Sequence, residues 1–181
     1  GHSFLDTFFY NGRRYGVTTQ MEVVPTDRYR PLVGSEFHGV EIGKDVDFPF
    51  AFVRRIDGKF SDGTKAEYRA VLPLSGKRKF INQRLHYETT DGKYISDRYA
   101  SELTLAKNMP GWAVKGERWM SISINKQTLV LYEGETPVFA TLVSTGEAGL
   151  ADAEETTATK RGIFRVHTKH ITATMASDEV G

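Results

Sequence analysis

Asn-Gly and Asp-Gly pairs punctuate the amino-terminal half of this chain, and they restrict its fold more than any other sequence feature. They begin at Asn11, Asp57, Asp62 and Asp91, and short apolar segments lie between them. Such pairs favour the left-handed backbone conformation that two-residue β-hairpin turns require. They therefore predict short antiparallel strands, arranged as a small barrel or a twisted sheet.

Polar and apolar residues alternate in the carboxy-terminal half, as they do in strands with one solvated face. The apolar positions of the first such segment end at Asn125-Lys126, a pair that favours a tight turn. Three strands that follow one another in this way predict a meander. The alternation and the β-branched residues predict strands over residues 119–124, 128–132, 137–144 and 163–167.

Helical patterning is scarce. Residues 97–107 have helical character, and Asn108-Met109-Pro110-Gly111 would end any helix before it. Segment 147–159 is rich in Ala, Glu and Thr, and it is open between a short helix and a mobile loop. We place a domain boundary at residue 110, so that residues 1–110 form one β module and residues 111–181 a second one.

Composition excludes several classes of function. The 24 Lys and Arg residues and 23 Asp and Glu residues nearly cancel, so no overall field attracts nucleic acid or a membrane surface. The apolar stretches are far shorter than the roughly 20 residues that a membrane-spanning helix needs. Because the chain has no cysteine, it offers neither a disulfide nor a thiolate nucleophile.

Several short motifs are best interpreted as ordinary surface. No Gly-x-Ser-x-Gly elbow and no phosphate-binding loop occurs in the sequence. His167 and His170 follow a predicted strand and lack a carboxylate at helical spacing, so we do not expect a metal site there. The acidic segment 152–155 and the basic segment 77–79 are interpreted as solvated groups.

The order of motifs from about Gly116 to Met175 resembles the opening of an L,D-transpeptidase (YkuD-like) catalytic domain. A first strand with an aromatic residue precedes a Gln-x-Leu strand at 127–129, and the third strand ends in Ser-Thr-Gly at 144–146. Segment 159–164 is similar to the Thr-Pro-x-Gly-x-Phe element of that family. Lys160 stands where the family usually has proline, which leaves the local φ angle less constrained.

The resemblance implies a mostly β fold, with a small SH3-like barrel followed by an incomplete, β-sandwich-like L,D-transpeptidase domain. The SH3-like assignment of residues 1–110 follows from their short strands and hairpins. The family joins peptidoglycan stem peptides by acyl transfer through a cysteine thioester, without metal or organic cofactor. Its cysteine lies in a Ser-His-Gly-Cys run that the 181 residues lack. The resemblance therefore assigns no catalytic residue here and predicts that these residues alone are catalytically inactive.

The resemblance further implies an exported protein of the periplasm or cell envelope. Its partners would be peptidoglycan stem peptides and the complementary carboxy-terminal part of the same domain. A non-catalytic protein that binds the cell wall is the alternative. The candidates for a substrate groove are Ser144, Thr145, Gly146, Thr159, Gly162 and His170.

Two groups of residues have local interpretations that the sequence leaves open. Gly146 can serve only to allow a positive φ after the strand, while Ser144 bonds a neighbouring amide. The aromatic segments 37–40 and 49–53 can line a groove for a wall peptide or fill the core.

Overall fold

The computed structural model describes residues 3–31 and 33–169, and these residues are mostly β. The chain separates into two compact units. The first comprises Gly1–Gly34 and Gly162–Gly181, and the second comprises Ser35–Arg161. The boundary predicted at residue 110 falls inside the second unit, and the assignment of residues 1–110 to an SH3-like module stays a prediction.

The first unit contains a three-stranded antiparallel sheet of β1 (Phe4–Tyr10), β2 (Arg13–Thr18) and β3 (Val23–Pro25). The predicted hairpin at Asn11-Gly12 is confirmed, since these residues have φ angles of 48° and 75° and join β1 to β2. A short 3-10 turn, Thr26–Arg28, follows β3.

The second unit contains nine strands and one short helix among its described residues. A five-stranded antiparallel sheet has the order β8-β7-β6-β5-β9, a four-stranded sheet has the order β10-β11-β12-β4, and neither closes on itself. The elements are β4 (Val40–Glu41), β5 (Phe50–Val53), β6 (Val71–Ile81), β7 (Arg84–Thr89), β8 (Tyr94–Ser96), β9 (Ala100–Leu103), α1 (Gly111–Val114), β10 (Arg118–Ser123), β11 (Thr128–Glu133) and β12 (Thr136–Leu142).

The central strand β5 belongs to two hydrophobic cores. Ala51 and Val53 pack on one face of the five-stranded sheet, and Phe50 and Phe52 pack on the other. All four residues are fully buried. This confirms the prediction that segment 49–53 fills the core, and the alternative that it lines a groove is wrong. The second core also includes Ala140 of β12, so the two sheets pack face to face.

The predicted meander is confirmed as β10, β11 and β12, with the turn at residues 124–127. Trp119 and Tyr132 are directly opposite each other, and their rings stack at a centroid distance of 4.1 Å. The fourth strand of this sheet, β4, comes from residues 40–41 and pairs with Phe139 and Ala140. A strand from the amino-terminal part thus completes the carboxy-terminal sheet.

The helix predicted over residues 97–107 is wrong. Residues 100–103 form β9, which pairs antiparallel with β5, and all four are buried. A strand that is covered on both faces shows no alternation of polar and apolar residues, so periodicity cannot distinguish it from a buried helix.

The strand predicted over residues 163–167 is also wrong, because these residues have no regular secondary structure. Ile163, Phe164 and Val166 are between 65% and 78% exposed. A strand requires a partner for its backbone hydrogen bonds, and no described strand pairs with this segment. Segment 147–159 consists of turns and irregular backbone without a helix.

Candidate functional site

The candidate site lies where β12 ends beside the turn that joins β10 to β11. The strand ends at Leu142, and Val143 continues the pairing by donating its backbone N–H to Gln127 O at 2.9 Å. Residues 144–146 then leave the sheet next to Gln127. We call Gln127, Thr145, Gly146 and Thr159 the strand-end cluster, because hydrogen bonds join them in pairs.

The Gln127 side chain holds the first part of this cluster together. Its backbone has a left-handed φ of 54°, which completes the turn. Its amide nitrogen donates to Ile124 O at 2.7 Å and to the Thr145 hydroxyl. Its amide oxygen accepts the backbone N–H of Thr145 at 2.9 Å. The backbone N–H and the hydroxyl of Thr145 are therefore already bonded within the chain, which reduces what this residue offers to a ligand.

Residue 146 must lack a side chain because a later segment of the chain passes close to its backbone. Its backbone N–H donates to the Thr159 hydroxyl at 2.7 Å. A Cβ atom on this residue would lie 1.9 Å from Thr157 O and 2.8 Å from Thr159 N. Its φ is not in the left-handed region, so the alternative that it only allows a positive φ is wrong.

Among the predicted groove residues that the structure describes, Ser144 has the side chain that is most available to a ligand. It is exposed, whereas Thr145 and Gly146 are half-buried. Its hydroxyl makes no hydrogen bond among residues 3–31 and 33–169, so the alternative that it bonds a neighbouring amide is wrong. A free hydroxyl at the end of a strand can both donate and accept a hydrogen bond from a peptide.

An ion pair takes part in fixing the loop that returns to Gly146. Lys160 Nζ lies 2.6 Å from a carboxylate oxygen of Glu154, and both side chains are largely exposed. This contact and the bond from Gly146 to Thr159 connect residues 159 and 160 to the rest of the loop and to the strand end. Lys160, where the sequence departs from the pattern of the resemblance, therefore takes part in one of the contacts of this loop.

The other two predicted groove residues are not part of this cluster. Gly162 belongs to the first compact unit, where its φ of 150° is a conformation that favours glycine. His170 lies outside the described residues. Sequence reasoning did not select Gln127 as a site residue, although the Gln-x-Leu motif already contained it.

The chemistry of the strand-end cluster follows from its groups. It consists of hydroxyl, amide and backbone groups that are neutral at ordinary pH. Such groups orient a bound peptide by hydrogen bonds, but they supply neither a nucleophile of the thiolate kind nor a group that titrates near neutrality. The hydrogen bonds within the cluster fix the chain at the strand end, beside the exposed Ser144 hydroxyl.

The part of the chain that the structure describes has neither a metal-binding cluster nor a membrane-spanning helix. No group of three or more His, Cys, Asp or Glu side chains is arranged to hold a metal ion in residues 3–31 and 33–169. None of the helices in those ranges has the length and apolar character needed to cross a membrane.

The resemblance to L,D-transpeptidases rests on the order of several short motifs, three of which contribute a residue to the strand-end cluster. The family assignment itself stays a proposal. Comparison of the chain with protein-family models, with curated proteins and with solved structures finds no match.

Proposed function

We propose that residues 111–181 are the first part of an L,D-transpeptidase catalytic domain that acts on peptidoglycan in the periplasm or cell envelope. One observation carries the proposal. Gln127, the Thr145-Gly146 pair and Thr159 come from three separate motifs of the resemblance, and they are joined by hydrogen bonds at one strand end. The proposal also assigns residues 1–110 to an SH3-like module, on the resemblance alone.

An uncovered apolar face supports the same proposal. Val130 and Ala140 of the four-stranded sheet pack into the second core. Met120 and Ile122 lie on the opposite face of that sheet and are 43% and 50% exposed. An apolar sheet face is stable when another layer covers it. In the proposed domain, the complementary carboxy-terminal part supplies that layer.

The described residues would position the substrate rather than perform the acyl transfer. The Ser144 hydroxyl would hydrogen-bond a stem peptide that lies along the end of β12. The cysteine that forms the thioester would come from polypeptide outside these 181 residues, since none is present in them. A thiolate nucleophile needs a neighbouring base or a lowered pKa, which that same segment would provide.

The absence of cysteine favours a second candidate, a non-catalytic protein that binds the cell wall. In this case the strand-end cluster holds a wall peptide and no transfer follows. The reading frame beyond Gly181 separates the two candidates. A downstream Ser-His-Gly-Cys run would support the enzyme, and a frame that ends without it would support the binder.

The binding step can be tested on the chain itself by titrating ¹⁵N-labelled protein with a soluble tetrapeptide stem. We expect amide shifts at residues 143–146 and 157–161. Ser144→Ala should weaken binding several-fold, as expected for the loss of one neutral hydrogen bond of about 1 kcal/mol. Ser121→Ala is the matched control, because Ser121 is an exposed serine of the same sheet.

Glycan strands without stem peptides form a second arm of this titration. Both candidate functions require the peptide to act at the strand end. Shifts confined to other parts of the chain, or equal affinity of Ser144→Ala and the unsubstituted protein, would contradict the proposed site.

A further inference from the structure

A polar hollow of about 180 Å³ lies in the second unit, and no residue of the strand-end cluster lines it. It is formed where the turn at residues 124–127 meets β9 and the turn that precedes β9. The Ser101 hydroxyl donates to Lys126 O at 2.6 Å and so ties the turn to β9. The polar residues around the hollow are Arg54, Tyr87, Asp97, Ser101, Glu102, Asn125 and Lys126.

Two cations at the hollow lack a carboxylate partner. The Arg54 guanidinium donates only to backbone carbonyls, those of Asn125 at 3.3 Å and Asp97 at 3.0 Å. Lys126 Nζ donates to Glu102 O at 2.7 Å. Neither side chain forms an ion pair within the described ranges 3–31 and 33–169. These two side chains therefore leave positive charge and N–H donors available, and Arg54 Nε is fully buried without a hydrogen-bond partner in the described residues.

Tyr87 supplies a hydroxyl donor that a ligand in the hollow could use. Its side chain is buried, with 7% of the residue exposed, and it lines the hollow. Its hydroxyl has no hydrogen-bond partner in the described part of the chain. Arg54 Nε is the fully buried side-chain atom without a partner among the described residues, so the Tyr87 hydroxyl oxygen is open to solvent at the hollow. Burial, and then the nearby Glu102 carboxylate, raise the pKa of Tyr87, so the hydroxyl keeps its proton and can donate it.

The charges around the hollow select a singly charged anion. Asp97 and Glu102 also face it, but Glu102 is already paired at 2.8 Å with Arg78, which does not line the hollow. One positive charge therefore remains uncompensated. A doubly charged phosphate would meet the Asp97 carboxylate, whereas a single negative charge would balance the site.

The size of the hollow restricts the ligand further. Pockets for complete small molecules usually have about 300 to 1,000 Å³. The hollow is smaller, so it fits a terminal group. We infer that it binds the carboxylate at the end of a small organic acid or a peptide, through the Tyr87 hydroxyl and the cations Lys126 and Arg54. This inference does not depend on the proposed transpeptidase function.

The inference can be tested by NMR titration of the ¹⁵N-labelled chain with sodium acetate, with chloride at the same ionic strength as reference. N-acetylalanine is compared with acetate to distinguish a peptide terminus from a small organic acid, and with its uncharged amide to test the need for the carboxylate. We expect shifts at the amides of Tyr87, Ser101 and Lys126, with a Kd on the order of 1 mM. N-acetylalaninamide should produce no shift there.

Tyr87→Phe is the decisive variant because it removes a hydroxyl that bonds nothing else in the described residues. It should weaken acetate binding about tenfold, as expected for one hydrogen bond to a charged group. Tyr68→Phe is the matched control, since Tyr68 is 43% exposed and lies outside the hollow. Its affinity should equal that of the unsubstituted chain.

Lys126→Gln provides a second variant, which removes a charge and should also weaken binding. The inference is overturned if both Tyr87→Phe and Lys126→Gln bind acetate unchanged. It is also overturned if the uncharged amide binds as well as N-acetylalanine, if inorganic phosphate binds more tightly than acetate, or if chloride alone reproduces the shifts.

Discussion

Replacing Gly146 with alanine tests whether the strand-end cluster holds the loop that follows it. The added Cβ would lie 1.9 Å from Thr157 O, 2.8 Å from Thr159 N and 2.9 Å from Ala158 C, and all three are backbone atoms. These atoms cannot rotate away as a side chain can. Because φ of Gly146 is not left-handed, the effect of Gly146→Ala arises from this contact and not from backbone strain.

The magnitude follows from the contacts that keep the loop in place. Accommodating an extra methyl group in a packed site costs about 1 to 3 kcal/mol. The hydrogen bond from Gly146 to Thr159 contributes about 1 kcal/mol. The exposed pair of Lys160 and Glu154 contributes about 1 kcal/mol at most. Since these ties are no stronger than the clash, we expect the loop to detach, with a loss of about 1 to 2 kcal/mol.

Hydrogen exchange measures the detachment of the loop, and urea unfolding measures the loss of stability. The backbone amide of residue 146 should exchange roughly 5 to 30 times faster in Gly146→Ala than in the unsubstituted protein, which corresponds to 1 to 2 kcal/mol. Amides of β10 and β11 should exchange at unchanged relative rates. Gly111→Ala is the control, because a Cβ there meets nothing within 4 Å. If Gly146→Ala were as stable as Gly111→Ala, with the same loop protection, the close approach at Gly146 would be refuted.

Three further predictions concern the sheets. The Ser75 hydroxyl holds the pKa of Glu88 below its ordinary value of 4.5. The stability that the ionised Glu88 provides is complete above pH 4.5 and is lost as the pH falls through the lowered pKa. Glu88→Gln should therefore reduce the fall in the free energy of unfolding at acid pH, measured by urea unfolding. An unchanged fall in the variant would count against this prediction. Arg78→Met removes the partner of Glu102, whose side chain is 7% exposed, and should cost roughly 3 kcal/mol in urea unfolding. Addition of Glu102→Gln should recover part of this loss, and a cost near zero for Arg78→Met would disprove the role of the pair. Trp119→Phe retains an aromatic ring but loses an indole hydrogen bond of 2.7 Å to a backbone carbonyl, so thermal unfolding should report a loss of about 1 kcal/mol, and an unchanged Tm would contradict it.

The sequence by itself determined the β class, the hairpin at Asn11-Gly12 and the meander, which it predicted over residues 119–144 and which the structure has over residues 118–142. These features depend on turn preferences and on alternation over a few neighbouring residues, which act wherever the segment lies. The same reasoning failed at residues 100–103, where burial on both faces removes the alternation. It also failed at residues 163–167, where the pattern of a strand is present but no described partner strand pairs with it.

Only the tertiary structure decided which distant residues meet. Strand β4 joins β12 across about half of the chain, and Arg54 bonds Asn125, which is 71 residues away. Neither contact leaves a local trace, because long-range pairing depends on how whole sheets pack and not on the residues beside each partner. For the same reason the sequence predicts Gly146 to be a turn residue. In the folded chain, however, residue 146 must be glycine because a later segment lies against its backbone.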